Sequence, residues 1–132
     1  MNSDQEQRKK SIHHFRDLEV YQRAFSAAME IFNLTRDFPK EEKYSLVDQI
    51  RRSSRSVCSN LGESWRKRRY IAAFKSKLAD AMQEASETQV WLEFSYACKY
   101  IDKSLFDRID NEYEQIISML NSMEKNASKF CY

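Results

Sequence analysis

A chain of 132 residues with a single glycine, Gly62, and a single proline, Pro39, lacks the turn chemistry that a sheet of several hairpins requires. Helices remain as the way to satisfy the backbone. Charged residues make up 32% of the chain and alternate with apolar ones at helical spacing instead of gathering in tracts, which separates the sequence from disordered ones. At this length one hydrophobic core is sufficient, because folding hides roughly two thirds of the surface of the extended chain.

The spacing predicts four helices, at about 17–36, 40–66, 70–99 and 104–125, forming a bundle over 15–125. Residues 1–14, without periodicity, are expected to form a flexible N-terminal arm and 126–132 a C-terminal tail. In the first helix, N-capped by Asp17, one apolar set is Leu18, Tyr21, Phe25, Ala28 and Phe32, and a second is Val20, Ala24, Ala27, Ile31 and Leu34. Phe38-Pro39 ends it, and Pro39 with Glu41 and Glu42 suits the first turn of the next. The core stripe of the second helix is Leu46, Ile50, Val57 and Leu61, with small Ser53 and Ser54 between them. The third repeats Ile71, Phe74, Leu78, Met82, Ala85, Gln89, Leu92 and Tyr96. The fourth, capped by Asp102 or by Ser104 in capping-box spacing with Asp107, repeats Leu105, Ile109, Tyr113, Ile116, Leu120 and Met123. Long amphipathic helices joined by short links imply an all-α, antiparallel up-and-down four-helix bundle.

No run of about 18 apolar residues exists and Met1 to Lys10 is polar, so neither a membrane span nor a signal peptide is expected, and the cytoplasm is the expected location. Cys58, Cys98 and Cys131 match no disulfide scaffold or zinc spacing; Cys58 and Cys98 read as small, partly buried hydrophobes. His13 and His14 have no third ligand nearby and read as solvated residues before a helix. A nucleophile with its base, a carboxylate pair or a phosphate-cradling loop is not visible, and one glycine excludes any glycine-rich loop. Glu84 and Glu87 share one helix face at the spacing of a Glu-x-x-His metal motif, but Glu87 stands where the histidine should be. With Gln49, Asn60 and Glu63 they are expected to form a structural polar motif. The chain is therefore expected to be no enzyme and to take no cofactor, metal or small-molecule substrate.

Charge is strongly local. From Arg51 to Lys77 there are nine basic residues (Arg51, Arg52, Arg55, Arg66, Lys67, Arg68, Arg69, Lys75 and Lys77) against one acid, Glu63, a net of +8 inside a chain whose total is +2. The densest part, Arg66 to Arg69, is flanked by Trp65 and Tyr70 at the link between helices two and three. Arginines beside aromatics suit phosphate contacts and base stacking, while the same charges also complement the negative end of a helix dipole. Trp91, Phe94 and Cys98 form a further apolar stripe beside the core stripe of helix three, so helices one and three are apolar over a wider arc than one core needs. Such surface marks a protein contact, and cyclic self-association supplies one while repeating the basic segment around a rim.

The chain resembles the "four helix bundle protein" family, which includes proteins encoded by intervening sequences in bacterial large-subunit ribosomal RNA genes. The resemblance, from about Phe15 to Met123, lies in F-x-x-L-x-V-Y-x-x-A (Phe15 to Ala24), D-F-P-K-E-E-x-Y-S-L-x-x-Q-I-R-R (Asp37 to Arg52), S-N-L-G-E-S-W-R (Ser59 to Arg66) and E-x-x-E-T-Q (Glu84 to Gln89). One departure is that the glycine stands at Gly62, before Glu63, where the family has it after the glutamate. The resemblance implies an antiparallel bundle, a homopentameric ring, and kinship with the accessory proteins of diversity-generating retroelements, which bind a reverse transcriptase and nucleic acid. Together these features lead to an expected non-enzymatic oligomer that binds RNA or DNA through Arg51, Arg52, Arg55, Arg66, Lys67, Arg68, Arg69 and Lys75, with Trp91, Phe94 and Cys98 at the oligomer interface. The alternative is a protein-interaction adaptor, for example a partner of a reverse transcriptase.

Overall fold

A computed structural model describes residues 12–132, and among them there are four α-helices and no strand. The helices are α1 (Glu19–Thr35), α2 (Leu46–Arg66), α3 (Ile71–Ala97) and α4 (Lys103–Lys125). Short 3-10 turns stand at Phe15–Asp17, Lys40–Glu42 and Ala127–Lys129. No helix is long and apolar enough to cross a membrane among the described residues.

Of the expected arm, residues 1–11 lie outside the described residues, whereas 12–14 are held in place. Ile12 packs on the core, and the backbone N–H groups of His13 and His14 each donate to Asp17 Oδ2 at 3.0 Å. His14 accepts in return from the Arg16 N–H through Nδ1, so Asp17 and His14 form a reciprocal box around the 3-10 turn. Asp17 is therefore not the cap of α1; Leu18 holds that position and makes no side-chain cap bond.

The second helix starts at Leu46 and not near 40. Pro39 is extended and Ser45 is non-helical at φ −122°, ψ −99°, so the acidic segment turns once as a 3-10 helix before α2 begins. The 67–70 link then joins α2 to α3. Contacts spread outward from it: Lys77 Nζ pairs with Glu63 at 2.9 Å, and further along the buried Thr88 hydroxyl donates to Ser53 Oγ at 2.8 Å. Small Ser53 and Ser54 on α2 and Ala81, Ala85 and Thr88 on α3 are all buried, and the Ser53–Thr88 bond brings the two helices together there. Between α1 and α4, Arg23 Nε donates to Glu112 at 3.0 Å and Arg108 pairs with Glu30.

Helix α3 closes with Lys99 in the left-handed region at φ 65°. The N–H of Lys99 bonds to Tyr96 O and that of Tyr100 to Ser95 O, both at 2.9 Å, the paired bonds of a Schellman stop. Asp102, one of the two expected caps, accepts from the Leu105 N–H at 2.8 Å; Asp107 is engaged by Lys103, so the Ser104 box is not made.

The core is a continuous cluster in which Tyr113, Phe74, Ile31, Ile50, Leu61, Leu78, Leu92, Ile109, Ile116 and Leu120 are fully buried. Of the two apolar sets on α1, Val20, Ala24, Ala27 and Ile31 face inward, while Phe25 is exposed. Three expectations fail here. Ile71, Tyr96 and Cys98 are exposed: the buried stripe of α3 runs from Phe74 through Leu92 to Ser95, which leaves Tyr96 beside it, stacked on Phe106 at 5.3 Å. Cys58 is largely buried, which pushes its thiol up to about 11. The expected tail is docked as well: Ala127 is buried, Phe130 stacks on Phe74 at 6.0 Å, and the Tyr132 N–H donates to Arg68 O at 3.3 Å.

Candidate nucleic-acid interface

The predicted basic residues divide by what their side chains do. Arg51 is turned inward: Nε donates to Thr35 Oγ1 at 2.9 Å, Nη2 donates to Phe32 O at 3.3 Å, and the guanidinium lies 4.7 Å from the centre of the Phe32 ring. It thus caps the C-terminal end of α1 from the neighbouring helix, where a cation is favoured. Burial, then the charges of Arg55 and Arg36, lower its pKa. Arg68 is also engaged, its guanidinium 3.7 Å from the centre of the Trp65 ring and its Nε donating to Trp65 O at 2.8 Å. Arg52, Arg55, Arg66, Lys67, Arg69 and Lys75 are exposed. Among the described residues no salt bridge involves any of these six, whereas Lys77 is neutralised by Glu63.

Alongside this cluster, α1 and α2 leave a groove of about 710 Å³. Its α1 wall carries Tyr21, Phe25, Ala28 and Met29; its α2 wall carries Cys58, Ser59 and Gly62, with Arg55, Glu63, Arg66 and Lys67 along the edge. Phe15 closes one end, its ring 5.0 Å from Tyr21, and Tyr21 stacks on Phe25 at 6.1 Å. The Arg66 guanidinium lies 5.9 Å from the Phe15 ring centre and its Nη2 is 3.2 Å from His14 Nε2. The sequence displayed both apolar sets of α1, but not which would face outward; with the inward set identified, the outward one supplies this aromatic row.

The polar motif does not come together as one unit. Asn60 Nδ2 donates to Ser56 O at 2.9 Å within α2, and Glu63 belongs to the Lys77 pair. Glu87 accepts from Trp91 Nε1 at 3.3 Å. Burial, and then the neighbouring Glu87 and Asp80 charges, push the Glu84 pKa up, with Arg52 opposing. Gln49 lies apart, in a hollow of about 460 Å³ with Tyr44, Leu46, Trp91, Phe94 and Cys98. In that hollow Phe94 is 53% exposed and Tyr44 85%, and Trp91 contacts Phe94 at 5.8 Å between ring centres. Among the described residues no group of three or more His, Cys, Asp or Glu side chains is placed to hold a metal ion.

Residues 16–122 match the family described as 23S rRNA-intervening sequence protein. No curated protein matches the chain. A crystal structure of a protein with unknown function from the S23 ribosomal protein family of Bacteroides thetaiotaomicron VPI-5482 is similar to it, at 32% identity and a TM-score of 0.73, with 80% of this chain and 95% of that one covered.

Proposed function

Because the chain belongs to the 23S rRNA-intervening sequence protein family, we propose that it is a non-catalytic subunit that binds RNA or DNA through the basic end formed by the last turns of α2, the 67–70 link and the first turn of α3. The observation that carries this reading is the group of exposed cations Arg66, Lys67, Arg69 and Lys75, which no carboxylate among the described residues neutralises, with Arg52 and Arg55 also exposed further back along α2. Arg51 and Arg68 act in it as positioning residues, holding the end of α1 and the Trp65 ring. The outward spread of contacts from the link, Glu63 to Lys77 and Ser53 to Thr88, supports an antiparallel up-and-down order. The exposed Phe94 and Cys98, beside the half-buried Trp91, support self-association into a ring, with five copies as the proposed number. Ring symmetry would repeat the cations around one axis and raise avidity for a polyanion.

The same Trp91–Phe94 surface supports a second reading, an adaptor that contacts another polypeptide such as a reverse transcriptase, with no nucleic acid bound directly. Fluorescence anisotropy with labelled RNA and DNA at rising salt separates the two. Binding is expected to weaken linearly in log–log form with salt, and Arg66→Glu with Arg69→Glu should reduce both affinity and slope, since each lost phosphate contact removes about 0.7 to 0.9 from the slope. Affinity that ignores both substitutions overturns the nucleic-acid reading.

A further inference from the structure

The basic end and the α1–α2 groove share residues. Arg66 and Lys67 belong both to the exposed cation group and to the edge of the groove, and Arg55 continues that edge along α2. Small residues in both walls, Ala28 on α1 with Ser59 and Gly62 on α2, leave room in the groove. Gly62 is informative. It lies inside a helix, where glycine weakens the fold relative to alanine. Its φ is not positive, and a methyl group placed there would meet only the Phe15 ring, at an ordinary 3.7 Å. Packing alone therefore does not demand glycine at this position; an open groove does profit from it.

The opposite wall presents Tyr21, Phe25 and Met29 at four-residue intervals, so that side chains recur every ~6 Å along the helix axis. Phe25 is 51% exposed, and its ring and that of Tyr21 are stacked with 30° between their planes. A row of ring faces with cations along the opposite edge is the arrangement that holds an unpaired strand, bases on the rings and phosphates on the arginines. A duplex keeps its base faces inside and has none to offer such a wall.

We propose that the α1–α2 groove selects single-stranded nucleic acid, with one or more bases against Phe25 and Tyr21 and the backbone on Arg55, Arg66 and Lys67. This rests on the nucleic-acid reading above and adds strandedness to it. Within the groove Ser59 supplies a hydroxyl, and Glu63, already paired with Lys77, supplies a carboxylate oxygen that accepts from a base edge.

The test is anisotropy on the full chain with a labelled unstructured single-stranded RNA and a blunt duplex of equal phosphate number, at one fixed salt concentration. The single strand is expected to bind at least about tenfold tighter, and Phe25→Ala to remove about tenfold of that while leaving the duplex unchanged, the effect of losing one stacked ring. Phe25→Trp, which keeps a ring, should retain the preference. Circular dichroism and light scattering on each variant establish that fold and mass are unaltered. Equal binding of the two forms, or a single-strand affinity indifferent to Phe25→Ala, overturns the inference; if Arg66→Glu with Arg69→Glu then abolishes both, the basic end stands without the groove. Absence of binding to either form overturns both readings. A mass changed by Phe25→Ala with strand preference intact makes the groove a contact between copies, and binding of an acidic amphipathic peptide that is lost in Phe25→Ala but displaces no RNA makes it a protein-docking site; each result sinks the proposal.

Discussion

At the scale of single residues, position along a helical stripe says whether a side chain is buried, but not whether its polar atoms are satisfied. Tyr113 lies on the stripe read from the sequence and is fully buried, yet its hydroxyl is the one buried side-chain polar atom without a partner among the described residues. Burial, followed by the proximity of Cys58, Glu112 and Glu30, holds the phenol well above its usual pKa. An unsatisfied buried hydroxyl costs about 1–3 kcal/mol. Tyr113→Phe is therefore expected to stabilise the protein by about 1 kcal/mol, seen in thermal unfolding as a gain of about 4 °C; an unchanged or lower midpoint would show that the hydroxyl has a partner in solution. The division of the arginines has the same origin. Arg51 and Arg52 are adjacent in the sequence, and only the presence of the α1 carbonyl end beside Arg51 makes one structural and leaves the other exposed.

At the scale of the element, the existence and type of all four helices were legible, because 3.6-residue periodicity is written over long stretches in Val20 to Ile31, Leu46 to Leu61, Phe74 to Leu92 and Ile109 to Met123. Their ends were less so. Caps are made by whatever lies close in space: Arg51 for α1, His14 and Asp17 for the turn before it, and Lys99 in an unexpected left-handed conformation after α3. A β-carbon in that conformation costs about 1 kcal/mol, and glycine carries no such penalty. Lys99→Gly is expected to raise stability by about 0.5 to 1 kcal/mol, shifting the urea midpoint upward at unchanged m, whereas Lys99→Ala should bring no gain. The shortened start of α2 has a related cause. Proline tolerates a first turn, but Tyr100 donates to Glu42 at 2.8 Å and the Phe38 ring packs tilted against that of Tyr100 at 5.1 Å between centres, and these contacts accompany a separate 3-10 turn.

At the scale of the whole molecule, the apolar surplus of helices one and three was legible as two stripes per helix, although one sequence does not reveal where each stripe ends up. The fold separates them: Phe25 and Met29 line the α1–α2 groove, while Trp91 and Phe94 sit in the hollow with Tyr44. If the second surface joins copies in the proposed ring, light scattering should give a mass near five times 15.8 kDa, and Phe94→Glu, which places a charge in that contact, should return the mass of one chain. A wild-type monomer at micromolar concentration would remove the ring and leave the adaptor. The anchored Arg68 bears on whatever anion approaches the basic end. A free arginine must surrender about 0.5 to 1.5 kcal/mol of rotational freedom when it is immobilised in a contact. Arg68 is already fixed against the Trp65 ring and carbonyl, with Tyr132 5.5 Å from its guanidinium on another side. Its charge is a standing field, felt over about 8 Å in physiological salt, that orients an incoming anion before any contact forms. If nucleic acid binds at that end as proposed, the fixed charge acts first on the rate of encounter, and only afterwards on its strength.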